Sequence, residues 1–243
     1  MRILIIRHGE PDYSIDSLTP KGWHEAELLS CRLAKLAIDD FYCSPLGRAK
    51  DTAQPTLDKL GKKATILPWL EEFRGKIRPF GKQNHNYPWD LPPQEWTKHS
   101  EFYDKDKWVD APLINTGNSR EIYQQTKKGL DKLLASYGYD RNGMIFHCQD
   151  NRKITIALFC HFALGAALVG YLTGVAPTLL WHNFFMPTSS VTTVVSSEIK
   201  KGEVSFRCLQ LGDTSHLYAA EEPLSTAGLM PEIYEPNSIR NID

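Results

Sequence analysis

The chain has 243 residues, 42% of them hydrophobic, which is enough to bury one sizeable core and too apolar for a disordered chain. Its 28 Lys and Arg nearly match 29 Asp and Glu, and the formal net charge of −1 excludes a global positive field for nucleic acid or anionic lipid. A phosphate site must therefore be a local cluster of charge.

Residues 2–6 read as a buried strand, an aliphatic run (Ile3, Leu4, Ile5, Ile6) that stops at Arg7-His8-Gly9. In α/β folds the carboxyl end of a strand is where ligands bind. Arg suits phosphate through forked, charge-assisted hydrogen bonds, and His can be a nucleophile. Thr19-Pro20 gives a helix start, with Thr as cap and proline in the first turn. Ala26, Leu29, Leu33 and Leu36 follow at helical spacing. Phe41-Tyr42-Cys43 is a short second strand. Ser44-Pro45 opens another helix, with Arg48 in its first turn, where helix N–H groups already favour anions. Thr65-Ile66-Leu67 reads as a third strand, and Glu71 and Glu72 follow Pro68-Trp69-Leu70.

Residues 74–117 lack clear periodicity. They mix prolines (Pro79, Pro88, Pro92, Pro93, Pro112) with Trp89, Trp96 and Trp108, and are too long for a plain connection. The aromatic content predicts a lid or cap, with the tryptophans packing it rather than forming a binding platform. Lys76, Arg78, Lys82 and His85 read as a solvated loop, with contact to an anionic substrate tail as the alternative.

Asn118 and Glu121 match a capping-box pattern, with Ile122, Thr126, Leu130 and Leu133 on the inner face of the helix that follows. Met144–Phe146 and Ile154–Cys160 read as strands around the polar turn Gln149–Lys153. Residues 162–173 read as a buried helix. The apolar stretch Ile154–Leu172 holds His161, Gly165 and Gly170, so it reads as a strand running into a helix rather than a membrane span. Val191–Val195 and Val204–Cys208 are strands joined by Lys200-Lys201-Gly202. The tail after Leu217 is polar and carries Pro223, Gly228, Pro231 and Pro236, which predicts a segment that wraps the surface or frays.

Strands alternate with helices, which predicts an α/β three-layer α/β/α sandwich with a mainly parallel central sheet. Residues 1–217 read as one domain with a lid insertion at about 74–117, and 218–243 as a C-terminal tail. Cys31, Cys43, Cys148, Cys160 and Cys208 are odd in number, widely spaced and without a CxxC. That predicts reduced thiols in the cytoplasm and speaks against a disulfide framework or zinc. With a strand starting at residue 2, no signal peptide is expected.

Two strands end in histidine, at Arg7-His8 and at Phe159-Cys160-His161. Parallel neighbours bring their carboxyl ends to one edge, so His8 and His161 can face each other across a pocket. Glu72 offers a carboxyl that can give a proton to a leaving oxygen. His147-Cys148 is a poor nucleophile pair, because adjacent residues on a strand point to opposite faces.

Arg7-His8-Gly9, Ser44-Pro45-Leu46-x-Arg48-Ala49-x-x-Thr52-Ala53, Leu70-x-Glu72 and Phe159-Cys160-His161 together resemble the histidine phosphatase superfamily. That group includes cofactor-dependent phosphoglycerate mutases and histidine acid phosphatases. Leu18-Thr19-Pro20-x-Gly22 and Asp213-Thr214-Ser215-His216-Leu217 also look like family features, and the resemblance runs over residues 1–73 and 117–217. It implies that His8 becomes phosphorylated, that Arg7, Arg48 and His161 bind the transferring phosphoryl group, and that Glu72 protonates the leaving group. Ser14 stands where mutases carry an asparagine that touches phosphate, and the backbone amide after His161, that of Phe162, commonly contributes.

The chain departs from the family pattern at several points. Phe162 replaces a frequent glycine, Glu25 a frequent glutamine, and Asn118 a frequent glutamate. The Asn-Glu-Arg-His-Tyr-Gly stretch of true mutases is missing, and Glu71 could substitute for Glu72. The resemblance implies a metal-independent phosphomonoesterase, without cofactor, acting on a phosphorylated small molecule and releasing inorganic phosphate. The alternatives are mutase-type phosphotransfer and a non-catalytic phospho-ligand binding protein. Neither the substrate nor the oligomeric state is legible.

Overall fold

A computed structural model describes residues 1–78, 86–230 and 232–233. The aliphatic run after Met1 is buried on both sides: in β1 (Arg2–Arg7), Ile3 and Ile5 enter one core and Leu4 and Ile6 the other. The chain then forms a small ribbon, β2 (Pro11–Asp12) and β3 (Ser17–Leu18), followed by α1 (Pro20–Leu33), β4 (Asp40–Cys43), α2 (Gly47–Leu60) and β5 (Ala64–Ile66). A stretch of short helical turns includes α3 (Pro93–Trp96) and leads to α4 (Ser119–Ser136). Next come β6 (Asp140–Asn142), β7 (Ile145–His147), β8 (Thr155–Cys160), α5 (Phe162–Thr173) and α6 (Pro177–Asn183). The hairpin β9 (Val191–Lys200) and β10 (Glu203–Asp213) precedes the short α7 (Ser215–Tyr218).

The main sheet has the order β5-β4-β8-β1-β9-β10-β7-β6. β5, β4, β8 and β1 are parallel, and the half from β9 onward is antiparallel. One core lies between the sheet and α1 and α2, around Leu29, Leu33, Ala53 and Phe159. The other lies between the sheet and α4, α5 and α6, giving three layers. α5 is buried almost all round, as its unbroken apolar sequence requires. Residues 154–172 thus resolve into β8 and α5, and no described helix is long and apolar enough to cross a membrane.

Several boundaries differ from the sequence reading. Thr19 caps α1 as expected, accepting the Gly22 N–H at 3.1 Å. α2 begins at Gly47, with Leu46 extended before it, because the Ser44 hydroxyl is engaged elsewhere. Asn118 precedes α4 but forms no capping box. Its Oδ1 accepts the Lys76 N–H at 2.8 Å instead, tying the start of the insert to the start of the helix. α6 was not legible, and β9 and β10 run well past their apolar centres because hairpin pairing carries their polar ends.

The insert packs through its aromatics. Trp108 is fully buried, with its ring 5.3 Å from Trp181 and 4.9 Å from Tyr123. Trp96 stacks on His182 at 4.9 Å, and Trp89 Nε1 donates to the Phe73 carbonyl at 2.8 Å. Lys76 and Arg78 are exposed, while Pro79, Lys82 and His85 lie outside the described residues. In the tail, Ser225 is buried and donates to Glu10 Oε2 at 2.5 Å, and Lys21 pairs with Glu222. The tail prolines Pro231 and Pro236 lie outside the described residues.

Candidate active site

Parallel register fixes the centre of the site. Arg7 on β1 is level with Cys160 on β8, so the next residues, His8 and His161, leave the sheet side by side. Their ring centroids are 5.1 Å apart, tilted by 58°. The His8 N–H donates to the Cys160 carbonyl at 3.0 Å, and the Ser44 N–H to the Phe159 carbonyl at 2.9 Å. Three strand ends therefore meet at one edge.

His8 is buried, and its Nδ1 lies 2.7 Å from the carbonyl oxygen of Gly9. A carbonyl can only accept, so Nδ1 carries the proton and Nε2 keeps its lone pair. Gly9 is held in turn, its N–H donating to Thr52 Oγ1 at 2.8 Å, while the Thr52 hydroxyl donates to the Arg48 carbonyl at 2.7 Å. A side chain at residue 9 would meet the Gly22 carbonyl oxygen at 2.7 Å, so this turn needs glycine to pass α1. Beneath it, buried Glu25 accepts the Glu10 N–H and the Thr188 hydroxyl, each at 2.9 Å.

His161 is also buried, with Nε2 2.8 Å from Ser44 Oγ. Ser44 Oγ also accepts the Leu46 N–H at 3.3 Å, and its own proton is free to go to His161 Nε2. With that proton donated to Nε2, the ring N–H sits on Nδ1, a buried atom without a partner among the described residues. An orphaned buried donor of this kind is the mark of a ligand position.

Two guanidiniums flank the imidazoles. Arg7 is 2% exposed, donates from Nη1 to the Met186 carbonyl at 2.8 Å, and lies 5.5 Å from the rings of Phe162 and Phe185. Arg48 is 6% exposed, donates from Nη1 to Asp16 Oδ1 at 2.7 Å, and lies 5.3 Å from the Tyr13 ring. Its Nε is buried without a partner among the described residues. Asp16 reaches this position from a left-handed backbone (φ 49°) and also accepts the Gly47 N–H at the start of α2, at 2.7 Å.

Burial, then the charges of Arg7 and Arg48, hold the His8 imidazole well below its ordinary pKa. Burial, then His8, Arg48, Arg74 and Arg7, do the same for His161. Both rings are neutral near pH 7. The Cys160 thiol beside them is pushed up by burial and is no rival nucleophile.

Glu72 is half-buried at the start of α5. Its Oε1 accepts the N–H groups of Phe73 at 2.7 Å and Leu164 at 3.0 Å, and Oε2 that of Ala163 at 3.4 Å. These bonds involve Glu72 and not the side chain of Glu71. Phe162 opens α5, with its ring 5.9 Å from that of Phe185. Ser14 sits on an exposed turn and donates to Asp12 Oδ1 at 2.6 Å.

A family model described as histidine phosphatase superfamily (branch 1) matches residues 3–209. The chain belongs to this superfamily. The adenosylcobalamin/alpha-ribazole phosphatase of Escherichia coli is 25% identical over 191 residues, 75% of this chain and 84% of that one. A phosphoserine phosphatase variant from Entamoeba histolytica, crystallised with phosphoserine, has a TM-score of 0.58 at 23% identity, covering 89% of this chain and 98% of its own. A mycobacterial glucosyl-3-phosphoglycerate phosphatase in complex with inorganic phosphate has a TM-score of 0.60 at 21% identity, over 88% and 98%. At these identities the two structures share the fold.

The superfamily motifs named most of the residues gathered here but not their supports. Ser44 stands inside the Ser44-Pro45-Leu46-x-Arg48 motif yet reads as a helix start. Asp16, the Gly9 and Met186 carbonyls and the Tyr13 ring carry no sequence signal, because only the tertiary fold brings them in. His216, within the late motif, lies behind the site: its Nε2 is 3.0 Å from Ser189 Oγ, and the Ser189 N–H donates to the His8 carbonyl at 3.0 Å. Among the described residues, no three His, Cys, Asp or Glu side chains cluster to hold a metal ion.

Proposed function

We propose that this superfamily member is a metal-independent phosphomonoesterase that hydrolyses a phosphorylated small molecule through a phosphohistidine on His8. One observation carries the reading: a buried neutral imidazole, pinned through Nδ1 with its Nε2 lone pair kept, lies 5.1 Å from a second buried imidazole and is flanked by two buried guanidiniums.

Phosphoryl transfer spreads charge over three equatorial oxygens, and catalysis is mostly placement and electrostatic stabilisation. Arg7, Arg48 and the Nδ1–H of His161 supply donors and charge for those oxygens, and the Phe162 amide at the start of α5 adds another. His8 Nε2 attacks phosphorus in line while the ester P–O bond breaks. Glu72, in its protonated form, gives its proton to the departing oxygen. Water then attacks the phosphohistidine and Glu72 takes its proton. The P–N bond breaks, inorganic phosphate leaves, and His8 returns to its neutral form. Splitting one displacement into two easier steps is the gain of a covalent intermediate.

Ser14 is a peripheral candidate for contact with the substrate beyond the phosphoryl group. Residues 1–217 act as one catalytic domain, with the insert at about 74–117 as a lid and 218–243 as its tail. The similar proteins are named as phosphatases of small phosphorylated molecules, which supports that substrate class. The five free cysteines suit a reducing cytoplasm.

The test is a screen of phosphorylated metabolites for phosphate release, with His8→Ala as control. Release by the wild type and none by His8→Ala is expected. Phosphate moved to a second site on the substrate, with little released, would favour mutase-type transfer. No turnover of any phosphomonoester would leave a phospho-ligand binding protein.

A further inference from the structure

α5 has a second end. It begins at Phe162 beside the histidine pair and finishes at Thr173, about 18 Å further on at 1.5 Å per residue. There the insert, α4, α5 and the turn between β6 and β7 enclose a cavity of about 340 Å³. Lys105, Lys127 and Arg141 line it, against a single carboxylate, Asp106.

The lining charges are unequally satisfied. Lys105 is paired with Asp106 at 2.5 Å. Asp131 is occupied by Arg141 Nε at 2.7 Å and by the Tyr171 hydroxyl at 2.6 Å. Lys127 is half-buried and, among the described residues, makes no hydrogen bond or ion pair. Its Nζ rests over the rings of Tyr123 and Tyr171, at 4.9 and 5.7 Å. Ring faces attract a cation but accept none of its three hydrogen bonds in the normal way. Burial holds this ammonium below its usual pKa, the sign of a charge without full compensation.

Arg141 is clamped between the Tyr171 and Phe146 rings, 3.7 and 4.3 Å from their centroids. Its Nη2 is buried without an acceptor among the described residues. A rigid guanidinium and an under-satisfied ammonium on one cavity wall suit an oxyanion, which accepts from both.

We propose that this cavity is a second ligand site, separate from the histidine pair, that takes a small molecule through a phosphate or carboxylate group held by Lys127 and Arg141. Pyrophosphate and citrate serve as the probes, one for each source of oxyanion. Calorimetric titration of the wild type with the preferred probe is expected to show a site that survives Arg48→Ala. Lys127→Gln should weaken that site about tenfold or more, as loss of a charge-assisted hydrogen bond does. Lys127→Arg should restore it, and both variants should keep wild-type phosphatase activity. If Lys127→Gln titrates like the wild type with both probes, or if Arg48→Ala removes all binding, the second site does not exist. Arg48→Ala and the activity assay report on the catalytic pocket, so failure there is read separately.

Discussion

His8 and His161 stand on neighbouring parallel strands with their rings 5.1 Å apart, yet they are held by opposite means. His8 is fixed through Nδ1 by the backbone of its own turn, and His161 through Nε2 by Ser44 from the next strand end. One imidazole is thereby left with a lone pair and the other with a spare N–H. A lone pair beside a donor is the asymmetry that the proposed attack on a phosphoryl group requires.

The Ser44 hydroxyl is the one described partner of the His161 ring nitrogens, so Ser44→Ala should free the ring to rotate. We expect kcat/KM to fall about tenfold to a hundredfold, the loss that a misplacement of up to about 1 Å brings. The melting temperature should stay close to wild type. Steady-state kinetics beside a thermal melt checks this, and unchanged kinetics would remove Ser44 from the site.

Glu72→Gln keeps the side chain's size and an oxygen to accept the Phe73 and Leu164 N–H groups, and removes the proposed proton donor. Turnover of an alkyl phosphate should drop roughly 10²–10⁴-fold. An aryl phosphate such as p-nitrophenyl phosphate, whose oxygen leaves without a proton, should lose far less. Equal losses on both would assign the effect to packing instead.

Among the described residues, three buried histidines and the half-buried His182 make the fold acid-sensitive. Burial holds His182 and His216 at about 4, and His8 and His161 lie well below the ordinary value. In the unfolded chain each titrates near ~6.5. Between the two values the unfolded state binds more protons, so stability rises with pH there. The contribution is fully present above about pH 6.5 and is lost as pH falls toward the folded values. Urea midpoints at roughly pH 5 should therefore lie below those at roughly pH 7.5, and a flat profile would count against neutral buried rings.

Glu25 works in the other direction. Burial raises its pKa, so the folded state holds this proton to higher pH than the unfolded chain, and the cost appears as pH rises through the folded value. Glu25→Gln can still accept the Glu10 N–H and donate to Thr188. It should raise stability at neutral pH on the order of 1 kcal/mol, with activity kept. A loss of stability would mean that the charge itself is needed under the His8 turn.

Much of this molecule was legible from local pattern. The aliphatic runs ending in His8 and His161, the Thr19 cap and the buried helix over residues 162–173 are fixed by nearest neighbours and by burial on all sides. Features that depend on distant chain segments were not. Asn118 looked like a helix cap, but the insert returning at Lys76 competes for its side chain. Ser44 and Pro45 looked like a helix start, but the His161 ring takes the serine hydroxyl and the helix begins at Gly47. Asp16 became the partner of Arg48 only because the ribbon of β2 and β3 folds back onto α2. The catalytic candidates were thus readable, whereas the residues that hold them were not.

The most direct measurement is trapping of the covalent intermediate. Enzyme mixed with substrate for milliseconds, quenched in alkali and digested should yield one peptide carrying a phosphoryl group on His8, absent in His8→Ala. Phosphate on another residue, or turnover that persists in His8→Ala, would contradict a phosphohistidine mechanism at this site.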